Sequence, residues 1–157
     1  MTTLAFRDPS TIRKILGYAR TIAVVGLSSK PDRPSNQVAG YLRQRGYRIF
    51  AVNPNEREVF GDPSFAQLAD VPIPIDVVDV FRRSAYVSAI VDEAIAVGAR
   101  AIWLQIGVID VEAAARAKSA GLDVVMDRCL KVEHARYLGP AHRPGANIGN
   151  SGQGAPE

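Results

Sequence analysis

Short apolar runs recur along this chain, and most are followed by a segment whose apolar residues return every third or fourth position. TIAVV at 21–25, YRIFAV at 47–52, IDVVDV at 75–80, AIWL at 101–104 and DVVM at 123–126 are runs of the first kind. Strands buried on both faces read in this way, as the strands of parallel sheets do.

The segments between them predict helices. Asp8 or Ser10 can cap the first, Pro9 suits its opening turn, Ile12, Ile15 and Leu16 recur at helical spacing, and Gly17 marks its end. Ser35 is expected to cap a second helix over 35–45, with Val38, Tyr41 and Leu42 as its apolar stripe and Gly46 closing it. Ser84 and Asp110 are expected to cap helices ending at Gly98 and Gly121, and a last helix covers 131–138. The stretch from 55 to 74 is less regular: it suggests a short strand at 59–61 and a short helix at 64–68.

Strand and helix thus alternate over most of the chain. This predicts an α/β, Rossmann-like, doubly wound fold, with a mostly parallel sheet and helices on both faces. Residues 1–139 form one domain on this reading. Residues 140–157, rich in Gly, Pro, Asn and Ser with a single isoleucine, are expected to be a flexible tail.

Composition narrows the class. A length of 157 residues suits one domain, and 47% hydrophobic against 22% charged residues is too apolar for general disorder. No run approaches the roughly 20 apolar residues of a membrane span. The first residues lack the apolar segment of a secretory signal. A lone cysteine, Cys129, excludes an internal disulfide framework and cannot hold a structural zinc by itself. The compartment expected is the cytoplasm. A net charge of +3 is mild and spread out, unlike the basic stripe of a nucleic-acid binder.

In doubly wound sheets a ligand sits beyond the carboxyl ends of the strands, near the switch in strand order. That edge collects the loops 26–35, 53–55, 81–84, 105–110 and 127–131. Two basic clusters, Lys30 with Arg33 and Arg82 with Arg83, fall on it and suggest a phosphate-bearing ligand. Ser28, Ser29, backbone amides and the following helix start are further candidate donors. A dinucleotide fingerprint would read G-x-G-x-x-G with an acidic residue ending the second strand. Here one glycine, Gly26, precedes LSSKP, and the second strand ends in Asn53 and Pro54. Both features count against NAD, while Arg57 leaves room for the 2′-phosphate of NADP.

Five motifs occur in order: VVGLSSKPDRPS at 24–35, VNP at 52–54, DVVDVFRR at 76–83, WLQIG at 103–107 and MDRC at 126–129. Together they resemble the small bacterial CoA-binding proteins, single Rossmann-like domains similar to the CoA-binding domain of the succinyl-CoA synthetase alpha subunit. The resemblance runs from about Asp8 to Leu138. It departs at Leu130, where the family pattern leads one to expect proline.

The resemblance implies that coenzyme A, or an acyl-CoA, is the ligand. It implies that Gly26, Ser28, Ser29 and Lys30 meet its phosphates and pantetheine end, that Arg48 supplies a basic contact, and that Val80, Phe81 and Arg82 cradle the adenine side. Arg33, Asn53, Pro54 and Cys129 complete the candidate set.

Cys129 could form a mixed disulfide with the CoA thiol or act as a nucleophile, with Arg128 and Lys131 beside it; a small buried hydrophobe is the commoner role. In the synthetase relatives a histidine carries phosphate on a further domain, and neither His134 nor His142 falls in a matching motif. Asp76, Asp79 and Asp127 are read as loop caps or partners of arginines, and Trp103 as core.

The residues contain no complete catalytic set. Binding of CoA without catalysis is therefore expected. The alternatives are a CoA-binding subunit that works with a separate ligase, and an NAD(P)-binding redox sensor. The small size is compatible with a homodimer.

Overall fold

The computed structural model describes residues 2–145. Helix α1 (Pro9–Tyr18) leads into β1 (Thr21–Val25), then α2 (Pro34–Gln44) and β2 (Arg48–Val52). A small hairpin, β3 (Glu58–Val59) and β4 (Asp62–Pro63), precedes β5 (Val77–Val80). The chain then runs through α3 (Val87–Ala96), β6 (Ala101–Leu104), α4 (Val111–Ser119), β7 (Asp123–Met126) and α5 (Leu130–Leu138).

The five long strands form one sheet in the order β2-β1-β5-β6-β7, all parallel. The predicted doubly wound α/β architecture is what forms. Strands β1, β5 and β6 are buried at every position, which is why they carry no polar alternation. On one face Val38, Ala39 and Leu42 of α2 pack with Ile12, Ile15 and Leu16 of α1 and Leu130 of α5. On the other, Ile90, Val91 and Ala94 of α3 pack with Ala113, Ala114 and Ala117 of α4. The alanines let α4 lie close to the sheet. The chain moves outward from β1 to β2, then back across to β5. The switch in strand order therefore lies between β1 and β5.

Several local expectations change. Asp8 caps α1, accepting the Thr11 N–H at 3.2 Å, and the helix runs through Gly17 to Tyr18. Ser35 does not cap α2. Arg33 is its N-cap residue and Pro34 its first, because proline's fixed φ and missing donor suit that position. Ser84 does not cap α3 either: it opens a 3-10 turn, Ser84–Tyr86, ahead of the helix. No helix forms over 64–68. Phe65 bridges to Val52 instead, and a short 3-10 turn follows at Leu68–Asp70. The strand expected at 59–61 is shorter, because Phe60 and Gly61 both have positive φ and form the hairpin turn.

Residues 140–145 lie along the domain. The Pro140 carbonyl accepts from Arg45 Nε at 2.5 Å, and the His142 ring centre lies 5.6 Å from that of His134. The rest of the tail, from 146, lies outside the described residues. Among the described residues no helix is long and apolar enough to cross a membrane.

Candidate functional site

The site begins where β1 ends. At Gly26 the backbone turns with φ +88°, and its N–H donates to the Val52 carbonyl at 2.9 Å. The end of β5 approaches so closely that a Cβ here would lie 2.5 Å from the Phe81 carbonyl oxygen. Only glycine has both the conformation and the room. The chain thus passes between the ends of β2 and β5 and enters the loop 27–33, anchored by the fully buried Leu27.

Side chains on two sides hold that loop. Asn53 donates from Nδ2 to the Leu27 carbonyl at 3.0 Å, and Asn36 from Nδ2 to the Ser28 carbonyl at 2.8 Å. The Ser28 N–H donates to Ser35 Oγ at 3.0 Å, and the Lys30 N–H to Ser28 Oγ at 3.1 Å. Ser29 donates its N–H and its hydroxyl to Glu56, at 2.8 and 3.0 Å. Those bonds, with the Lys30 charge nearby, hold the Glu56 carboxyl below the usual carboxylate range. The amides of residues 28–30 and the Ser29 hydroxyl therefore already donate to protein acceptors. An anion here must rely on other groups or displace Glu56.

The opposite wall is braced by loop-to-loop bonds. Fully buried Trp103 donates from Nε1 to the Arg128 carbonyl at 2.8 Å. Asp127, at φ +61°, accepts the Gly107 N–H at 2.7 Å and pairs with Arg7. Ser84 Oγ accepts the Ile109 N–H at 2.9 Å, which ties the loop after β5 to the loop after β6.

A cleft in two parts runs between these walls. The larger part encloses about 570 Å³; Pro34, Val38, Phe81 and Val108 give it an apolar side, and Gln105 and Cys129 also line it. The smaller part, about 470 Å³, shares Gly26, Arg33, Phe81 and Arg82 with it and adds Asn53, Asn55, Arg83 and Tyr86. The Arg82 guanidinium stands 4.3 Å from the Tyr86 ring centre. Among the described residues no carboxylate pairs with Arg33, Arg82 or Arg83. The cleft is thus cationic at one end and apolar at the other, with its positive charge unneutralised.

A family model described as a CoA binding domain matches residues 20–135. The chain belongs to that family. A Bacillus subtilis relative, uncharacterized protein YneT, is 40% identical over 124 residues, which are 79% of this chain and 92% of that one. The solved structure of a hypothetical protein from Pyrococcus horikoshii OT3 superposes with a TM-score of 0.79 at 38% identity, covering 88% of this chain and 94% of that one. An ADP-forming acetate–CoA ligase of Archaeoglobus fulgidus is 28% identical over 78 residues. Those residues are half of this chain but only 11% of the ligase.

Within this CoA binding domain the predicted site residues separate into groups. Gly26, Ser28, Arg33, Phe81, Arg82 and Cys129 come together along the larger part of the cleft, and Asn53 joins at the smaller. Ser29 and Lys30 are exposed, with Ser29 bound to Glu56. Pro54 is exposed in the turn beyond β2. Val80 is fully buried in the core, so it supports the cleft from beneath and does not line it. Arg48 is not at this edge. It opens β2, in register with Thr21, whereas the cleft forms beyond Val25 and Val52 at the other end of the same pair. Four residues of strand, roughly 13 Å, separate the two ends.

The sequence reading missed the apolar lining, Pro34, Val38 and Val108, and the polar pair Gln105 and Asn55. For Gln105 a signal existed, because the loop after β6 lies on the ligand edge. Its partner is Asp79, fully buried in β5, whose Oδ1 accepts from Gln105 Nε2 at 2.7 Å. Burial pushes the Asp79 carboxyl up to about 7, and the Gln105 bond offsets only part of that. The two histidines lie away from the cleft lining: His134 is fully buried, its Nδ1 2.9 Å from the Tyr41 hydroxyl.

Proposed function

We propose that this domain binds coenzyme A or an acyl-CoA in the two-part cleft and holds it without catalysing a reaction of its own. The observation that carries the reading is the pairing of an unneutralised arginine cluster with an apolar pocket in one continuous cleft at the switch point. CoA has the same two ends, a 3′-phosphorylated adenosine diphosphate and an apolar, thiol-ended pantetheine arm. Arg33, Arg82 and Arg83 offer charge-assisted hydrogen bonds to the phosphates. The Tyr86 ring offers a face for the adenine, and the pocket by Val38 and Val108 takes the arm towards Cys129. A cytoplasmic setting, where CoA is plentiful, belongs to this reading.

A second reading, a CoA-binding subunit for a separate ligase, is favoured by one observation: the similarity to a small segment of the Archaeoglobus fulgidus ligase. Purification from its native cells would then bring down a stoichiometric partner that makes acyl-CoA with the domain present.

Calorimetric titration with CoA, acetyl-CoA, NAD and NADPH tests the main proposal. Micromolar binding of CoA or acetyl-CoA, and not of the nicotinamide cofactors, is the expected result. Binding of NAD or NADPH alone overturns it.

A further inference from the structure

The buried pair Asp79 and Gln105 is a polar device beneath an otherwise apolar part of the cleft. Asp79 sits mid-strand, flanked in register by Val24 and Trp103, and its Oδ2 has no hydrogen-bond partner. A carboxyl in such a place is costly unless something requires it. Its other oxygen takes the Gln105 Nε2 donor at 2.7 Å, and both residues are buried. When Asp79 is ionised both of its oxygens only accept, and a flipped amide would set its own oxygen against one of them at that distance. The amide nitrogen therefore faces inward, and the opposite arm, Oε1, is the one left for the cleft that Gln105 lines.

We propose that Asp79 is a positioning residue that fixes the Gln105 amide, so that Gln105 Oε1 accepts a hydrogen bond from an N–H or S–H donor on the ligand's pantetheine arm. This rests on the CoA reading above and adds to it the selection of the arm. Pantetheine carries two amide N–H groups and a terminal thiol, and the cleft part that Gln105 lines has Pro34, Val38, Ile106 and Val108 as its aliphatic side. A buried acceptor in such walls discriminates strongly, because a ligand without the donor leaves it unpaired.

The test compares CoA with 3′-phospho-ADP, which is coenzyme A without the pantetheine arm, on the wild type and on Gln105→Met and Asp79→Asn. Methionine keeps the length of glutamine and removes the acceptor. The titrations are run at pH 8, where Asp79 is mostly ionised and only accepts; asparagine at 79 can either accept or donate, so it no longer dictates the amide's direction. The expected result is about a tenfold loss of CoA affinity in Q105M, a smaller loss in D79N, and 3′-phospho-ADP affinity unchanged in both.

Equal losses for both ligands would mean that the pair only shapes the fold, and would overturn the proposal. Unchanged CoA affinity in Q105M would overturn it as well. If the wild type binds 3′-phospho-ADP but gains nothing from the arm, the selection fails while the phosphate site stands. If it binds neither, the CoA reading itself fails. Thermal melts of the variants confirm that each is folded before titration.

Discussion

Replacing Asp79 by asparagine should make the protein's stability respond differently to pH, by an amount the structure sets. Burial pushes the Asp79 carboxyl from its ordinary 3.8 up to about 7. Between those values the folded state keeps a proton that the unfolded chain has released. Stability from this group is fully present below about pH 4 and is lost as pH rises towards 7, at about 1.4 kcal/mol per pH unit. The whole loss is about 4 kcal/mol, and above pH 7 the contribution is flat. Asparagine has nearly the same shape, keeps an oxygen for the Gln105 Nε2 donor and does not titrate. Urea denaturation of both proteins from pH 4.5 to 8 reads the difference. Asp8 and Glu56, whose carboxyls lie below the ordinary range, act equally in both and cancel. D79N should gain about 3 kcal/mol on the wild type between pH 4.5 and 7.5, with the same denaturant slope. Parallel stability profiles would refute the reasoning, since they would mean that the carboxyl is solvated or charge-paired in solution.

Gly26 and Gly61 both have positive φ, but only at Gly26 would an added Cβ meet a backbone atom, the Phe81 carbonyl oxygen at 2.5 Å. Gly61→Ala should cost about 1 kcal/mol and Gly26→Ala at least about 3 by denaturant midpoint, and equal costs would deny the close approach. Under the CoA reading, Arg33→Gln and Arg82→Gln should each weaken CoA about tenfold and flatten its salt dependence, while Arg48→Gln leaves titration curves unchanged. Ser35→Ala removes the acceptor of the Ser28 N–H and should cost about 1–2 kcal/mol, with faster hydrogen exchange at Ser28. Burial, with repulsion from neighbouring cations and His142, lowers His134 to about 4, so its ring signals in NMR should not move between pH 8 and 5.5. A midpoint near 6.5 would show the ring to be open to water.

The fold was legible because its determinants are local or periodic. The five strands of the sheet are short, largely apolar runs, and their helices are bounded by glycines at 46, 98 and 121, all with positive φ. The failures came where a side chain had two competing partners. Ser35 and Ser84 are short hydroxyls at helix starts, which is what caps look like. In the folded chain each is taken by a backbone amide outside its own helix, Ser28 of the preceding loop for one and Ile109 of the loop after β6 for the other. The stretch from 55 to 74 was misread because its hairpin turn places Phe60 at φ +58°, which its side chain does not advertise.

The candidate site divides on the same line. Residue types at the strand ends could be read from order alone, and Gly26, Arg33, Phe81, Arg82 and Cys129 do line one cleft. Arg48 entered through the resemblance and not through strand order, which already placed it at the amino end of the second strand, where the β1–β2 register also puts it. The state of the first loop could not be read from order. In a G-x-G-x-x-G turn, glycines let the backbone approach a pyrophosphate and its amides do the binding. Here the amides of residues 28–30 are taken by Ser35, Glu56 and Ser28. Under the CoA reading, phosphate recognition falls to the guanidinium groups of Arg33, Arg82 and Arg83 that line the cleft, and that mode has no need of the second and third glycines. The missing glycines are thus consistent with phosphate binding by side chains, because the amides that a tight backbone contact would use are already engaged within the protein.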